Sequence, residues 1–326
     1  MLIKFNRDRG LYTKMNKHNA LIQKFKGIQL IRNWFTRNGF LDVMTPSIVD
    51  CPGIEPHLHP FSVHGVNHQG YLQTSPEFHM KELLSHGLEK IFTLTYSFRD
   101  EPTSETHRPQ FIMLEWYRAN EHYLKIKEDT KSLVNHLVKN LPGVHEKFKQ
   151  DFKEWTIKEA FLEFVGINLD EHISRKKLYD KIESDFSDLP LPARSEVSWD
   201  DLFFILFLNI VEPALKKFPK VILTEYPSTQ AALSTIKEND QSVCERFEVY
   251  LDGLEIGNCF NELTDLSLQR MRYNQANLER KRLYNKEIPE PKVLFGALER
   301  GLPESSGIAI GVERLLGTLL NQNLLF

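Results

Sequence analysis

Apolar residues follow a helical spacing near the start of the chain and then change to short strand-like runs. Between positions 20 and 38 they recur every three or four residues, which predicts a helix that stops at Gly39. Positions 40–46 then read as a strand that ends at Pro46. Further strands are expected at 71–74, 91–98, 111–117, 221–226 and 243–251.

The pattern is mostly helical and more charged between about 121 and 218, which predicts a helical insertion there. Helices are expected at 123–141, 155–165, 200–212 (with Ser198 or Asp200 as the N-cap) and 270–285, and a strand running into a helix at 308–316. Because the strands come in hairpin-like clusters and the helices come separately, we expect an α+β fold, an antiparallel sheet flanked by helices. Residues 1–19 are expected to be a polar tail, and residues 20–326 one domain.

Composition narrows the classes of protein to consider. The chain has 41 Lys and Arg against 44 Asp and Glu, a net charge of −3, which excludes a broadly basic surface for gripping nucleic acid. Three widely spaced cysteines exclude a disulfide framework and a Cys-x-x-Cys metal site. The N-terminus lacks a signal-peptide apolar region, and the longest apolar run, 202–211, is too short for a membrane span. We therefore expect a cytoplasmic protein with no membrane partner.

A polar loop between two predicted strands carries residues suited to a nucleotide. Arg99 follows the first strand, and an arginine there can hold phosphate oxygens bidentately. Phe111, on the returning strand, offers a flat face for a base. The loop also contains Asp100, Glu101, His107 and Arg108. Taken alone, the same segment favours an ordinary hairpin with a charged tip over a nucleotide site.

Two later segments add carboxylates and small residues. Glu255 and Glu262 flank a Gly-Asn pair that we expect to form a turn, across which both carboxylates face one cavity and hold Mg²⁺ or a substrate ammonium. A solvated loop is the alternative for this segment taken alone. In 306–314, small residues including Gly311 let a ligand approach the backbone, and Arg314 opens a helix where phosphates are favoured.

In order along the chain, these segments resemble motif 2, the lysyl branch's Glu-Ile-Gly-Asn-x-Phe-x-Glu-Leu segment, and motif 3 of the class II aminoacyl-tRNA synthetases. The helix from Ala20 and the strand ending at Pro46 resemble motif 1, the dimer interface of that family, so a homodimer is expected. Ser75, Pro76 and Glu77 resemble its amino-acid-binding Ser-Pro-Glu segment. The resemblance spans about 20–320 and implies a class II synthetase-like catalytic domain.

Within that family, the chain resembles the lysyl-synthetase paralogues that attach (R)-β-lysine to elongation factor P. Only about 20 residues precede the motif-1-like helix, too few for an anticodon-binding OB domain. Ala309 stands where tRNA-charging relatives usually have Gly. Elongation factor P is thus the expected acceptor, and no tRNA is expected. Two alternatives stay open: a truncated lysyl-tRNA synthetase-like enzyme that charges tRNA, and an inactive regulatory paralogue, suggested by Arg108 and Gln110, which depart from motif 2.

The resemblance also implies roles for the site residues, with ATP as a substrate that is converted to an aminoacyl-adenylate. Arg99 and Arg314 are the expected catalytic residues, Arg99 at the α-phosphate. Phe111 would stack on adenine and Glu101 would contact its amino group. The other expected ATP contacts are Asp100, His107, Arg108, Glu255, Ile256 and Gly311.

The same resemblance implies a metal and a substrate. Glu255 and Glu262 are expected to hold Mg²⁺. The expected amino acid is (R)-β-lysine or lysine, whose two ammonium groups require buried carboxylates. The residues expected to recognise it are Ser75, Pro76, Glu77, Tyr117 and Glu262.

Overall fold

An eight-stranded sheet forms the centre of the computed structural model, which describes residues 14–104, 107–172, 174–322 and 324. The strands are β1 (Leu41–Asp42), β2 (Ile48–Val49), β3 (Ser62–His64), β4 (Gln69–Leu72), β5 (Lys90–Phe98), β6 (Gln110–Ala119), β7 (Lys153–Thr156), β8 (Lys220–Thr224), β9 (Arg246–Leu251), β10 (Leu254–Asn261) and β11 (Ser305–Gly311). The large sheet has the order β1-β5-β6-β11-β10-β9-β8-β7, and β2-β4-β3 form a small second sheet.

Pairing in the large sheet is antiparallel except at its two edges. There β1 pairs with β5, and β7 with β8, in parallel. The helices that flank the sheets are α1 (Lys14–Arg37), α2 (Glu77–Ser85), α3 (Tyr123–Asn140), α4 (Ile157–Val165), α5 (Arg175–Asp185), α6 (Trp199–Leu206), α7 (Glu212–Leu215), α8 (Leu266–Tyr284), α9 (Lys292–Glu299) and α10 (Val312–Leu320). The predicted α+β class, an antiparallel sheet with flanking helices, is confirmed.

The sheet core joins the first helix to the central strands. Phe35 of α1 stacks on Phe92 of β5 with ring centroids 4.5 Å apart, and Trp116 of β6 packs on the edge of the Phe35 ring. All three side chains are fully buried. This packing holds α1 against the strands that carry the candidate site, and apolar burial of this kind is the main favourable term in folding.

Several element boundaries differ from the sequence predictions. Helix α1 begins at Lys14, earlier than expected, and residues 1–13 of the expected tail lie outside the described residues. The strand expected at 40–46 is reduced to β1, which pairs for two residues at the sheet edge. The helix expected from 155 starts at Ile157, because a capping box at Thr156 sets its first turn.

The predicted Gly257-Asn258 turn is wrong, because both residues lie inside strand β10. A Cβ on Gly257 would lie 2.7 Å from the Ala309 carbonyl oxygen, so glycine here permits close packing of β10 on β11. The turn of this hairpin is at Asp252-Gly253, where both residues have positive φ. An Asp-Gly pair is a signal that the sequence displayed.

The helix predicted at 200–212 also differs from its prediction. Ser198 is its N-cap, as one of the two predicted alternatives, and α6 passes through a π-helical stretch, Phe207–Val211, into α7. None of the helices in the described part of the chain is both long and apolar enough to cross a membrane.

Candidate active site

A cavity of about 490 Å³ lies over the central strands, between the β5–β6 loop and the start of α10. Most of the predicted site residues line it. They are Ser75, Glu77, Arg99, Glu101, His107, Arg108, Phe111, Glu255, Ile256, Gly311 and Arg314. The sheet brings them together because β6 pairs with both β5 and β11, and β10 pairs with β11.

Four predicted residues lie elsewhere. Asp100 lines a neighbouring cavity of about 380 Å³, to which the 52–60 segment also contributes. Pro76 is buried at the start of α2. Tyr117 and Glu262 are buried outside the cavity lining, at the end predicted to bind the amino acid, which we call the substrate end. Asp100 and the adjacent Arg99 therefore line different cavities.

A buried carboxylate, Glu115, organises one part of the substrate end. Ser75 Oγ donates a hydrogen bond to Glu115 Oε2 (2.7 Å), and the Tyr117 hydroxyl donates to Glu115 Oε1 (2.8 Å). Burial and the nearby Glu77 carboxylate raise the pKa of Glu115 to about 8. Glu115 was not among the predicted site residues, although its spacing of two from Tyr117 puts both side chains on one face of β6.

Tyr117 depends on a glycine in the neighbouring strand. Gly307 of β11 pairs with Tyr117, and a Cβ at Gly307 would lie 2.2 Å from the tyrosine ring. A side chain at Gly307 would therefore displace the ring from Glu115. Packing against the Tyr117 ring therefore explains why the motif-3-like segment has glycine at position 307.

A lysine side chain occupies the other part of the substrate end. Lys81 Nζ lies 2.6 Å from Glu77 Oε1 and 2.6 Å from Glu262 Oε2, with Lys81 and Glu262 each 1 % exposed. Burial opposes the charge, but the Glu262 and Glu77 carboxylates outweigh it and raise the pKa of Lys81 above its ordinary value. Glu77 and Glu262, both predicted to recognise the substrate, thus hold the ammonium group of Lys81. Lys81 was not among the predicted site residues.

The other end of the cavity is cationic and aromatic. The Arg99 guanidinium lies 5.4 Å from the centre of the Phe111 ring, and its buried Nε has no hydrogen-bond partner among the described residues. Arg314 donates from Nη1 to the Glu255 carbonyl (3.1 Å), and its Nη2 lies 2.8 Å from His107 Nε2. Burial and the Arg314 charge lower the pKa of His107, so the ring can accept this bond as neutral imidazole.

The structure does not bring the predicted metal pair, Glu255 and Glu262, to one site. The two residues lie near opposite ends of β10, and at the usual strand rise they are about 20 Å apart. The carboxylate that does neighbour Glu255 is Glu248 of β9. Burial and then the Glu248 charge raise the pKa of Glu255 to about 7, and a cation near both carboxylates would relieve this repulsion.

Hydrogen bonds from neighbouring side chains hold the Glu248 carboxylate in place. It accepts a hydrogen bond from the Tyr226 hydroxyl (2.6 Å) and others from Tyr250 and Arg246. No cluster of three or more His, Cys, Asp or Glu side chains suited to a metal occurs in the described residues. Two hard carboxylate donors beside the predicted ATP contacts fit Mg²⁺, which usually takes one or two protein carboxylates together with substrate phosphates and water.

Comparisons with known proteins identify the family of this chain. A family model described as tRNA synthetases class II (D, K and N) matches residues 6–325. The elongation factor P–(R)-β-lysine ligase of Edwardsiella ictaluri is 37% identical over 302 residues, 91% of this chain and 89% of that protein. The enzyme of the same name from Pasteurella multocida is 34% identical over 309 residues, 93% and 91% of the two chains. The chain therefore belongs to the class II tRNA synthetase family and, within it, to the family of elongation factor P–(R)-β-lysine ligases.

Proposed function

We propose that this chain uses ATP to activate (R)-β-lysine, or lysine, as an adenylate, and transfers it to a lysine side chain of elongation factor P. The observation that carries the proposal is one cavity that joins an acid-rich end to an arginine-bearing end. An ammonium-bearing amino acid and a triphosphate are the ligands that such ends suit. The relatives named above are named for this acceptor and this amino acid.

The chemistry requires two displacements. The amino-acid carboxylate attacks the α-phosphorus of ATP and pyrophosphate leaves. The amine of the acceptor lysine then attacks the carbonyl carbon of the adenylate, AMP leaves, and the amine loses a proton. Neither displacement needs a protein nucleophile, so the contribution of the enzyme is positioning and charge stabilisation.

The arginine-bearing end of the cavity, which we call the ATP end, would supply that charge stabilisation. Arg99 would hold the α-phosphate, since its buried Nε has no protein partner in the described residues and a phosphate oxygen can satisfy it. Phe111 would stack on the adenine, and Arg314 would stack on the opposite face or bind the γ-phosphate. Glu101, His107 and Arg108 line the same end and would contact the nucleotide.

The substrate end would recognise ammonium groups. Glu77 and Glu262 hold one cation, Lys81, and Glu115 is a third acidic group at the same end, so the pocket contains more acidic than basic groups and favours a further ammonium. Ser75 and Tyr117 fix the Glu115 carboxylate. Ala309 of β11 pairs with Glu115 of β6 and lines the cavity, so its methyl group narrows the space beside that carboxylate. This narrowing favours an amino group displaced by one carbon.

Mg²⁺ would be held by Glu255 together with Glu248 and by the phosphates. When bound, it would neutralise charge on the triphosphate. Glu255 also has its carbonyl fixed by Arg314, which links the carboxylate pair to the phosphate end.

A homodimer and a cytoplasmic location complete the proposal. The outer face of α1 exposes apolar side chains, with Phe25 58% and Ile22 37% exposed, in a shallow surface groove that Leu21 and Ile28 extend. This is the helix that resembles the family's dimer motif, and a second copy would cover its apolar face. A ligase acting on a translation factor would work where translation occurs, in the cytoplasm.

The test is a pyrophosphate-release assay with ATP, Mg²⁺ and each lysine isomer in turn, followed by a chase of labelled product onto elongation factor P or onto tRNA. We expect release with a lysine isomer, strongest with (R)-β-lysine, and label on the protein. Label on tRNA would instead support the synthetase alternative. No release with any isomer would overturn the proposal and leave the regulatory alternative.

A further inference from the structure

A buried ion pair joins helix α1 to the ATP end of the cavity. Lys24 of α1 is 1 % exposed, and its Nζ lies 2.9 Å from Oε1 of Glu313, which is 6 % exposed. Glu313 is in the first turn of α10 and lines the cavity, whereas Lys24 lies outside the lining residues. Any effect of Lys24 on the cavity must therefore pass through another residue, and Glu313 is in direct contact with it.

The second oxygen of Glu313 holds the end of a central strand. Oε2 accepts a hydrogen bond from the Ile112 backbone N–H at 2.9 Å. Ile112 follows Phe111 on β6, and Glu313 precedes Arg314 on α10. One carboxylate thus fixes the main chain beside both residues that we propose to enclose the adenine.

Helices α1 and α10 pack together through apolar contacts as well as through the Lys24–Glu313 ion pair. They pack so closely that a Cβ on Gly27 of α1 would lie 2.7 Å from the side chain of Leu316 on α10. A buried ion pair also carries a desolvation cost, and apolar side chains of similar volume often replace one without loss of stability. The contribution specific to the charges is direction: they orient the Glu313 carboxylate towards Ile112.

We infer that Lys24 and Glu313 are positioning residues for ATP. Lys24 orients the Glu313 carboxylate, and Glu313 sets the spacing between Phe111 and Arg314. The inference rests on the proposed function for the identity of the nucleotide. It predicts that losing the pair weakens ATP binding selectively, because the substrate end is built from other residues.

The test compares Lys24→Met and Lys24→Arg with the unchanged full chain. ATP–pyrophosphate exchange would give separate KM values for ATP and for the amino acid, and calorimetry would give ATP binding directly. The matched control is Arg118→Met, which removes the cation of another largely buried pair, Arg118–Asp129, between β6 and α3. Its thermal unfolding would be measured beside that of Lys24→Met.

We expect Lys24→Met to raise the KM for ATP about tenfold, the usual scale for a charge-assisted hydrogen bond. The KM for the amino acid should stay unchanged, and Lys24→Arg should restore most of the ATP affinity. Arg118→Met should lower the unfolding temperature without a selective change in the KM for ATP. Equal rises in both KM values, or the same ATP effect in the control, would overturn the inference.

If Lys24→Met does not fold, Glu313→Gln replaces it, because the amide retains an oxygen for the Ile112 N–H but loses the charge. An unchanged KM for ATP in Glu313→Gln would overturn the inference. Failure of the proposed function is distinguishable: the unchanged chain would then show no exchange with any lysine isomer. Calorimetric ATP binding by Lys24→Met, relative to the unchanged chain, would still test the positioning role.

Discussion

The two ends of the candidate site are built in opposite ways. At the substrate end, buried acids have internal partners: Glu115 accepts from two hydroxyl groups, and Glu77 and Glu262 share Lys81. At the ATP end, Arg99 keeps a buried donor without a partner among the described residues. The comparison indicates that the substrate end is preorganised for shape, while the ATP end leaves charge for the phosphates to satisfy.

The largest loss of activity should come from a substitution at the ATP end of the cavity. We expect Arg99→Ala to lower the rate of ATP–pyrophosphate exchange about 10²- to 10³-fold, the scale for removing one preorganised donor to transition-state charge. Arg99→Lys should recover little, because an ammonium cannot make the bidentate contact. Amino-acid binding measured by calorimetry should survive in both variants. A rate close to that of the unchanged chain would remove Arg99 from the proposed catalytic role.

Breaking the internal pair at the substrate end should cost stability. Lys81→Met leaves Glu77 and Glu262 buried without their cation, which should lower the free energy of unfolding by about 3 kcal/mol. Urea denaturation would measure it. The double variant Lys81→Met, Glu262→Leu should regain much of this stability but not amino-acid binding. Full recovery of both would show that the charges serve packing alone.

The pH dependence of amino-acid binding sharpens the comparison further. The pKa of Glu115 is raised to about 8, so below pH 8 the carboxyl group is mostly protonated and must lose a proton to bind an ammonium. The KM for the amino acid should therefore fall about tenfold per pH unit as pH rises towards 8, and then level off. Glu115→Gln should bind more weakly and lose this slope. Calorimetry in two buffers should detect the released proton, and its absence would contradict the assignment.

The smallest effect is expected at Asp100. Asp100 lines the neighbouring cavity and not the main one, so Asp100→Asn should leave the KM for ATP unchanged, in contrast to the sequence-based expectation. Glu101→Gln is the matched comparison, since Glu101 lines the main cavity and should weaken ATP binding. Parallel exchange assays would decide, and equal effects would return Asp100 to the ATP site.

Local pattern anticipated the elements with long regular runs. Strands β5, β6 and β11 and helices α1 and α10 follow from apolar periodicity, and the motif residues at their ends point to a nucleotide. The predictions were wrong where several backbone conformations suit the same residues. Gly257-Asn258 is a common turn pair, but its glycine serves the approach of two strands. Periodicity alone cannot separate these cases.

The sequence by itself determined the class of fold, the order of the motifs and eleven of the residues that line the cavity. Only the tertiary structure decided which charged groups meet. Lys81 joins Glu262 across a helix and a strand far apart in the chain, Glu248 neighbours Glu255 across a hairpin, and Lys24 reaches Glu313 from the opposite end of the chain. The physical reason is that a charge is buried only with a partner, and the partner is set by packing over long sequence separations.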